Sequence, residues 1–217
     1  LPLAALLLAL PSPPRASGRA STGRAKGSAL LVGLVALFFF LYAGVEHSFG
    51  GWVPSYAQAL QLASESGAAY FASAFWAALT AGRLLAVPVT VRFKPQAVVA
   101  GALVGALVSA GVVLLWPGQD WLLWIGTVGL GLSLAAIVPT MVALMGQRSG
   151  ATSQATAWFF VGLGAGKMTI PWIIGQFFES AGPQSLFVVM GLVLLAAMGL
   201  FAGLGAIKTP ASSQVEE

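Results

Sequence analysis

The chain has 217 residues, of which 58% are hydrophobic and 7% are charged. A soluble domain carries about 25% charged residues, so a water-soluble fold of this size could not cover its own surface. The mean hydropathy of +0.91 and the 27 glycines are typical of helices packed in lipid. The net charge of +4 does not indicate nucleic-acid binding, because the basic residues lie between hydrophobic runs rather than in one patch.

The first 29 residues divide into an apolar and a polar part. Residues 1–10 (LPLAALLLAL) are apolar but too few to cross about 30 Å of hydrocarbon, and we interpret them as the end of a preceding transmembrane helix. Residues 11–29 are polar, rich in proline and glycine, and without a periodic apolar pattern. They predict a cytoplasmic linker. The interpretation of residues 1–10 as the end of an incomplete helix predicts that the chain is a fragment of a longer protein.

Six apolar runs follow, each long enough to cross a bilayer. They lie at about residues 30–50, 67–91, 96–116, 121–144, 153–178 and 185–207. The predicted fold is therefore all-α, a polytopic membrane domain of six transmembrane helices at 30–207, with a cytoplasmic tail at 208–217. The first three runs and the last three cover equal lengths, and an odd number of crossings inverts the second set, so we predict two inverted three-helix repeats.

Basic residues in the connections set the orientation. The connections on one side contain lysine or arginine. The charged residues of the connections on the other side are all acidic, namely Glu65, Asp120 and Glu179. The basic side includes the linker, the loop with Arg92 and Lys94, and the tail. Both ends are therefore predicted to face the cytoplasm. The composition, rich in glycine and alanine and without asparagine, suggests a bacterial plasma (inner) membrane.

Two ionisable residues lie deep within predicted spans. Glu46 is about 24 Å into the first span and Lys167 about 21 Å into the fifth, at roughly 1.5 Å per residue. A charge at the bilayer centre costs about 2.5–3.5 kcal/mol, so such residues usually face a cavity and have partners. Our hypothesis is that both face a central cavity and either pair with each other or contact a polar substrate. The alternative for Glu46 is that it reaches the outer interface.

Two neighbours of Glu46 are further candidates. Tyr42 precedes it by four residues and therefore lies on the same helix face. His47 is the only histidine, and a lone histidine without other ligands does not predict a metal site. It acts either as a proton relay or as an ordinary interfacial residue.

The fifth span places Thr156, Phe160, Lys167 and Pro171 on one face. Such a stripe lines a cavity or serves ordinary helix packing. Pro171, and Pro139 in the fourth span, each remove a backbone hydrogen bond and predict kinks. Kinked helices are either moving parts of a membrane protein or purely structural features.

Glycines and other small residues recur at four-residue spacing at three places. Such pairs allow helices to approach closely, unless they are incidental in a glycine-rich chain. The sets are Gly101/Gly105/Ser109, Gly162/Gly166 and Gly199/Gly203.

No motif predicts an enzyme. GLGAGK at 162–167 lacks the first glycine and the final Ser/Thr of a phosphate-binding loop, and it lies within a span. No nucleophile elbow or zinc motif occurs. We therefore predict neither enzymatic activity nor a cofactor or metal.

The segment GRLLAVPVTVRFKP (82–95) resembles the signature of the major facilitator superfamily at the junction of two helices. It joins Gly82 and Arg83 inside a helix to Arg92 and Lys94 in a short loop. The segments at 42–57, 73–86, 131–144 and 166–187 extend the resemblance to the C-terminal six helices of the fucose-permease-like branch, which includes sodium-dependent glucose transporters.

This resemblance implies a secondary transporter of twelve helices, whose two six-helix halves rock about a site at the middle of the membrane. The partners would be membrane lipid, a missing N-terminal six-helix half and a small solute such as a sugar, with H⁺ or Na⁺ as the coupling ion. Lys167 departs from the family pattern, which is acidic or neutral at this position, so sugar specificity stays open. The alternative is a transport-inactive, truncated membrane protein with a structural or interaction role.

Overall fold

The computed structural model describes residues 25–149 and 153–206. These residues form seven α-helices and no strand. The helices are α1 (Ala25–Ala59), α2 (Glu65–Arg92), α3 (Pro95–Leu115), α4 (Asp120–Ala135), α5 (Ile137–Ser149), α6 (Ser153–Ala181) and α7 (Ser185–Ala206). The regions 1–10 and 208–217, and most of the predicted linker, lie outside the described residues.

Six segments are long and apolar enough to cross a membrane, within the part of the chain that the structure describes. Five correspond to single helices, and α4 and α5 together form the sixth, Asp120–Met145. The prediction of an all-α domain with six spans is therefore confirmed. Local signals fix the helix starts of α2 and α3: the Ser64 side chain accepts a hydrogen bond from the Gly67 backbone N–H, and Pro95 begins α3.

The predicted end of the first span near residue 50 was wrong, because α1 continues to Ala59. Gly50 and Pro54 disfavour a helix locally. The helix continues nevertheless, since Val53 and Tyr56 are fully buried in the core and their packing outweighs local propensity. Helix α1 also begins at Ala25, inside the predicted linker.

The contacts between the helices follow an internal symmetry that relates the first three spans to the last three. Helix α1 packs most extensively against α6 and then α7, whereas α4 packs most extensively against α2 and then α3. Exchanging α1 with α4, α2 with α6 and α3 with α7 therefore maps one set of contacts onto the other. The two central spans, α1 and α4–α5, are also the most buried. The packing is that of the predicted inverted repeat.

Glycines allow the closest of these approaches. A Cβ added to Gly166 would lie 2.7 Å from the Phe40 carbonyl carbon, and one added to Gly162 would lie 2.9 Å from that of Ala36. Both glycines therefore bring α6 against the backbone of α1. Gly199 and Gly203, in contrast, face no atom within 4 Å, so their spacing is incidental to helix packing.

The two singled-out prolines have different effects. The fourth span is interrupted at Ala136, between α4 and α5, and Pro139 lies in the first turn of α5, where a proline needs no backbone N–H. The break thus precedes the predicted kink position by three residues. Pro171 lies inside α6, which continues through it without interruption.

Candidate functional site

The centre of α1 carries a buried carboxylate. Glu46 is 5% exposed and Tyr42 is 2% exposed. One helical turn separates them, and the Tyr42 hydroxyl donates a hydrogen bond to the Glu46 carboxylate. The same hydroxyl lies 3.3 Å from the Leu134 carbonyl oxygen, at the end of α4. Tyr42 therefore connects the carboxylate of α1 to the other central span, just before its break.

His47 lies at the edge of this buried pair. Its Nδ1 is 3.7 Å from Glu46 Oε1 and has no hydrogen-bond partner among the described residues. The imidazole packs edge-on against Trp76 of α2, with ring centroids 5.5 Å apart. About a third of the side chain is exposed. His47 of α1 thus contacts α2 through Trp76, while part of its side chain stays exposed.

Two exposed cations flank α1. Arg83 on α2 lies close enough to the Tyr42 hydroxyl for an electrostatic interaction, and Lys167 on α6 lies within electrostatic range of His47. Both side chains are exposed. One cation therefore comes from each neighbour of α1, next to the Tyr42–His47 stretch.

Glu46 and Lys167 do not form an ion pair within 4 Å in the structure, and the alternative that they contact a polar substrate stays a prediction. Within the described residues, His47 is the one basic side chain that lies within 4 Å of a carboxylate. Gly166 and Ile170 of α6 turn toward α1, where they meet Phe40 and Gly44. Lys167 lies between them in the sequence and therefore points away from the α1–α6 contact. Glu46 lies on the face of α1 where Tyr42 contacts α4.

The other predicted positions on α6 do not form a uniform stripe. Phe160 is 66% exposed, whereas Thr156 and Pro171 are half-buried. The Pro171 carbonyl accepts a hydrogen bond from Trp52 Nε1 at 3.1 Å. Phe160 and Lys167 thus share the open side of α6, and Pro171 belongs to its contact with α1.

The segment that carries the family signature has a structural half and an exposed half. Gly82 is buried, and a Cβ there would lie 2.6 Å from the Ala135 Cβ, so Gly82 allows α2 to approach α4. Arg92 ends α2, and Lys94 is the N-cap of α3. Both of these side chains are exposed.

Sequence reasoning missed Trp76. It precedes Arg83 by seven residues, two helical turns, so both lie on one face of α2. This seven-residue spacing is the feature of the sequence that could have identified Trp76. The matching feature on α1 is Gly50, since a Cβ there would lie 2.7 Å from the Trp76 ring.

One groove of the described part is lined by none of these residues. It has a volume of about 470 Å³ and runs between α2, α3 and α4, lined by apolar side chains such as Leu85, Val89 and Phe93. The ionisable side chains lie instead on α1, α2 and α6, where Arg83 and Lys167 are exposed and Tyr42 and Glu46 are buried. We define this group, with Tyr42, Glu46, His47, Trp76, Arg83 and Lys167, as the α1 site.

Comparison with known proteins finds relatives that are named as transporters or as major facilitator superfamily proteins. No family model matches the sequence. The chain is 33% identical to sodium-dependent glucose transporter 1A of Mus musculus over 187 residues, which cover 85% of this chain and 44% of that protein. It is 33% identical to the human major facilitator superfamily domain-containing protein 4A over 159 residues, 73% of this chain and 31% of that protein.

A third relative agrees with these two. Human sodium-dependent glucose transporter 1 is 34% identical over 152 residues, 70% of this chain and 29% of that protein. The chain thus spans less than half the length of the relatives that it matches. Six apolar spans, an inverted-repeat packing and these relatives agree with the resemblance found in the sequence. The chain is an integral membrane protein that belongs to the major facilitator superfamily.

Proposed function

We propose that this chain is the C-terminal half of a secondary active transporter that moves a small polar solute, such as a sugar, by alternating access. The observation that carries the proposal is the α1 site: a buried carboxylate and two exposed cations at the middle of spans. Ionisable groups at this depth are costly and generally mark a solute or ion pathway. The names of two relatives, sodium-dependent glucose transporters, support a sugar or a related metabolite as the solute.

The open side of α1, α2 and α6 is where we place a second six-helix half. Large apolar side chains are exposed on these helices, including Leu84 (73%), Met168 (78%) and Trp172 (65%). Lipid could cover such residues, but each exposed charge in hydrocarbon costs about 2.5–3.5 kcal/mol. Because Arg83 and Lys167 open on this side, a protein partner and a hydrated cavity suit it better than lipid.

The coupling ion would act through the same surface. Glu46 is the buried carboxylate at mid-span, and His47 lies beside it, so we expect a coupling proton or sodium ion to act on these two groups. Both ions stay within the proposal, and imposed gradients separate them.

The proposed orientation has both ends in the cytoplasm. Its support is the exposed pair Arg92 and Lys94 between α2 and α3, and the exposed acidic residues Glu65, Asp120 and Glu179 at the opposite helix ends. A bacterial inner membrane stays a prediction from composition, and the relatives reported above are mammalian.

The test is uptake by the complete gene product in proteoliposomes. A panel of labelled small polar solutes, neutral and acidic sugars included, is offered under imposed Na⁺ or H⁺ gradients. We expect gradient-driven uptake of at least one solute. Glu46→Gln and Lys167→Gln should each lower it about tenfold or more, which corresponds to the loss of one charge-assisted contact.

Arg92→Gln is the matched control, since it removes a charge at a helix end, away from the α1 site. It should leave uptake nearly unchanged. If no solute of the panel is taken up under either gradient, or if the two site variants transport normally, the proposal is wrong.

A further inference from the structure

The charges accessible at the α1 site do not balance. Glu46 is 5% exposed and already accepts the Tyr42 hydrogen bond. Arg83 and Lys167 are exposed, and neither has a carboxylate within 4 Å among the residues that the structure describes. A solute at this surface therefore meets positive charge, while the single nearby carboxylate is engaged inside the protein.

We propose that the α1 site binds a small solute with a negatively charged group, and that its substrates are acidic sugars, of which a hexuronate is the simplest. This inference rests on the proposed transport function and names its substrate class. A carboxylate at Lys167 or at Arg83 would form charge-assisted hydrogen bonds with that cation, and the planar guanidinium suits a carboxylate particularly well.

The aromatic surface of the site indicates a ring rather than a bare anion. Trp76 is 37% exposed, and its position is fixed by edge contacts with Phe75 and His47. The exposed part of the indole offers an apolar platform next to His47. Solute sites commonly combine such an aromatic wall with a few polar groups that fix orientation. A pyranose ring that carries one carboxylate presents both complementary surfaces.

A neutral sugar would complement this site less well. It would displace water from Lys167 and Arg83 without supplying an opposite charge, and a desolvated charge without a partner is strongly unfavourable. The free energy of binding should therefore favour the anionic sugar. The competing arrangement is one in which an acidic residue of the second half neutralises Lys167, and the experiment below separates the two.

The test compares glucuronate with glucose on the complete gene product in lipid nanodiscs. Equilibrium binding of labelled glucuronate is measured alone and in competition with glucose or inorganic phosphate. We expect glucuronate to bind about tenfold or more tightly than glucose, and phosphate to compete weakly because it has no ring to pack on Trp76. Lys167→Gln should weaken glucuronate binding about tenfold or more and weaken glucose binding by a clearly smaller factor.

Two variants keep the test decisive. Lys167→Arg retains the charge and should keep glucuronate binding within about threefold, which separates charge from folding. Arg92→Gln should bind both sugars as the unmodified protein does. A protein that binds glucose as tightly as glucuronate, or in which Lys167→Gln affects both sugars equally, contradicts the inference and points to pairing of Lys167 within the protein.

The outcomes also separate this inference from the proposed function. If the protein transports neutral sugars and neither binds nor moves glucuronate, the transport function stands and the anionic substrate class is wrong. If it binds and moves no solute of the panel, both proposals fail together.

Discussion

The contact between α1 and α6 and the contact between α3 and α7 are made by different means. On the first, glycines bring one backbone against the other, and the ionisable residues of the α1 site lie beside that contact. On the second, side chains such as Leu103 and Leu194 fill the core, and neither helix contains an ionisable residue in its described span. Close backbone packing thus coincides with the polar centre, while the peripheral pair packs through ordinary apolar side chains.

The largest effect should come from a side chain forced into the α1–α6 contact. Gly166→Leu would place atoms on the backbone of Phe40, whose Cα lies 2.9 Å from the added Cβ. Backbone cannot rotate away as a side chain does, so we expect a loss of about 3 kcal/mol or more in the free energy of unfolding. Denaturant titration in mixed micelles measures it.

The control lies in the peripheral pair. Gly203→Leu introduces the same side chain where no atom lies within 4 Å and should change stability by less than about 0.5 kcal/mol. Equal losses in the two variants would show that the distinction between the two contacts is false.

A smaller effect is expected where α2 meets α4. Gly82→Ala adds a Cβ 2.6 Å from that of Ala135 and 3.1 Å from the Leu132 Cα. A shift of the two helices can relieve part of this clash, so the expected loss is about 1–3 kcal/mol. Gly101→Ala on α3 is the matched control, because its Cβ would meet nothing within 4 Å. A thermal midpoint that is unchanged for Gly82→Ala would contradict the assignment of Gly82 to close packing.

These glycines also show how far the sequence alone reaches. Composition and run length predicted the six spans, because the cost of unpaired polar groups in lipid leaves few alternatives. The four-residue glycine spacing was the same at 162/166 and at 199/203, yet only the first pair meets another backbone. Which face of a helix meets a neighbour depends on the arrangement of all six spans, and the local pattern does not contain it.

The candidate site was predicted in part for the same reason. Glu46, Tyr42, His47 and Lys167 were found because charge and position along a span are visible in one helix. The role of Trp76, and the separation of Lys167 from Glu46, depend on how α2 and α6 are rotated about α1. The proline at 54 likewise left α1 unbroken, since burial of the following turn decided the outcome.

The two buried tyrosines of α1 test the polar centre with one type of substitution. Tyr42→Phe removes the hydroxyl that donates to Glu46 and lies 3.3 Å from the Leu134 carbonyl, and leaves a buried carboxylate without its donor. We expect a loss of about 1–2 kcal/mol in the free energy of unfolding.

Tyr56→Phe removes a buried hydroxyl that has no hydrogen-bond partner in the described part of the chain. Removing an unsatisfied polar group is neutral or stabilising. The same titration measures both variants. A larger loss for Tyr56→Phe than for Tyr42→Phe would contradict the hydrogen bond to Glu46.

The smallest effect should come from the part of the α1–α6 contact where Trp52 meets Pro171. Trp52 donates a hydrogen bond from Nε1 to the Pro171 carbonyl at 3.1 Å and packs on Phe178, with ring centroids 5.1 Å apart. Trp52→Phe keeps an aromatic ring against Phe178 but removes the donor. One neutral hydrogen bond contributes about 0.5–1.5 kcal/mol, and the Pro171 carbonyl keeps its position in α6, so the loss should lie at the lower end of that range. Trp121→Phe, at a tryptophan that is 55% exposed, should cost nothing measurable. If both variants unfold at the temperature of the unmodified protein, the Trp52 hydrogen bond adds nothing to the contact between α1 and α6.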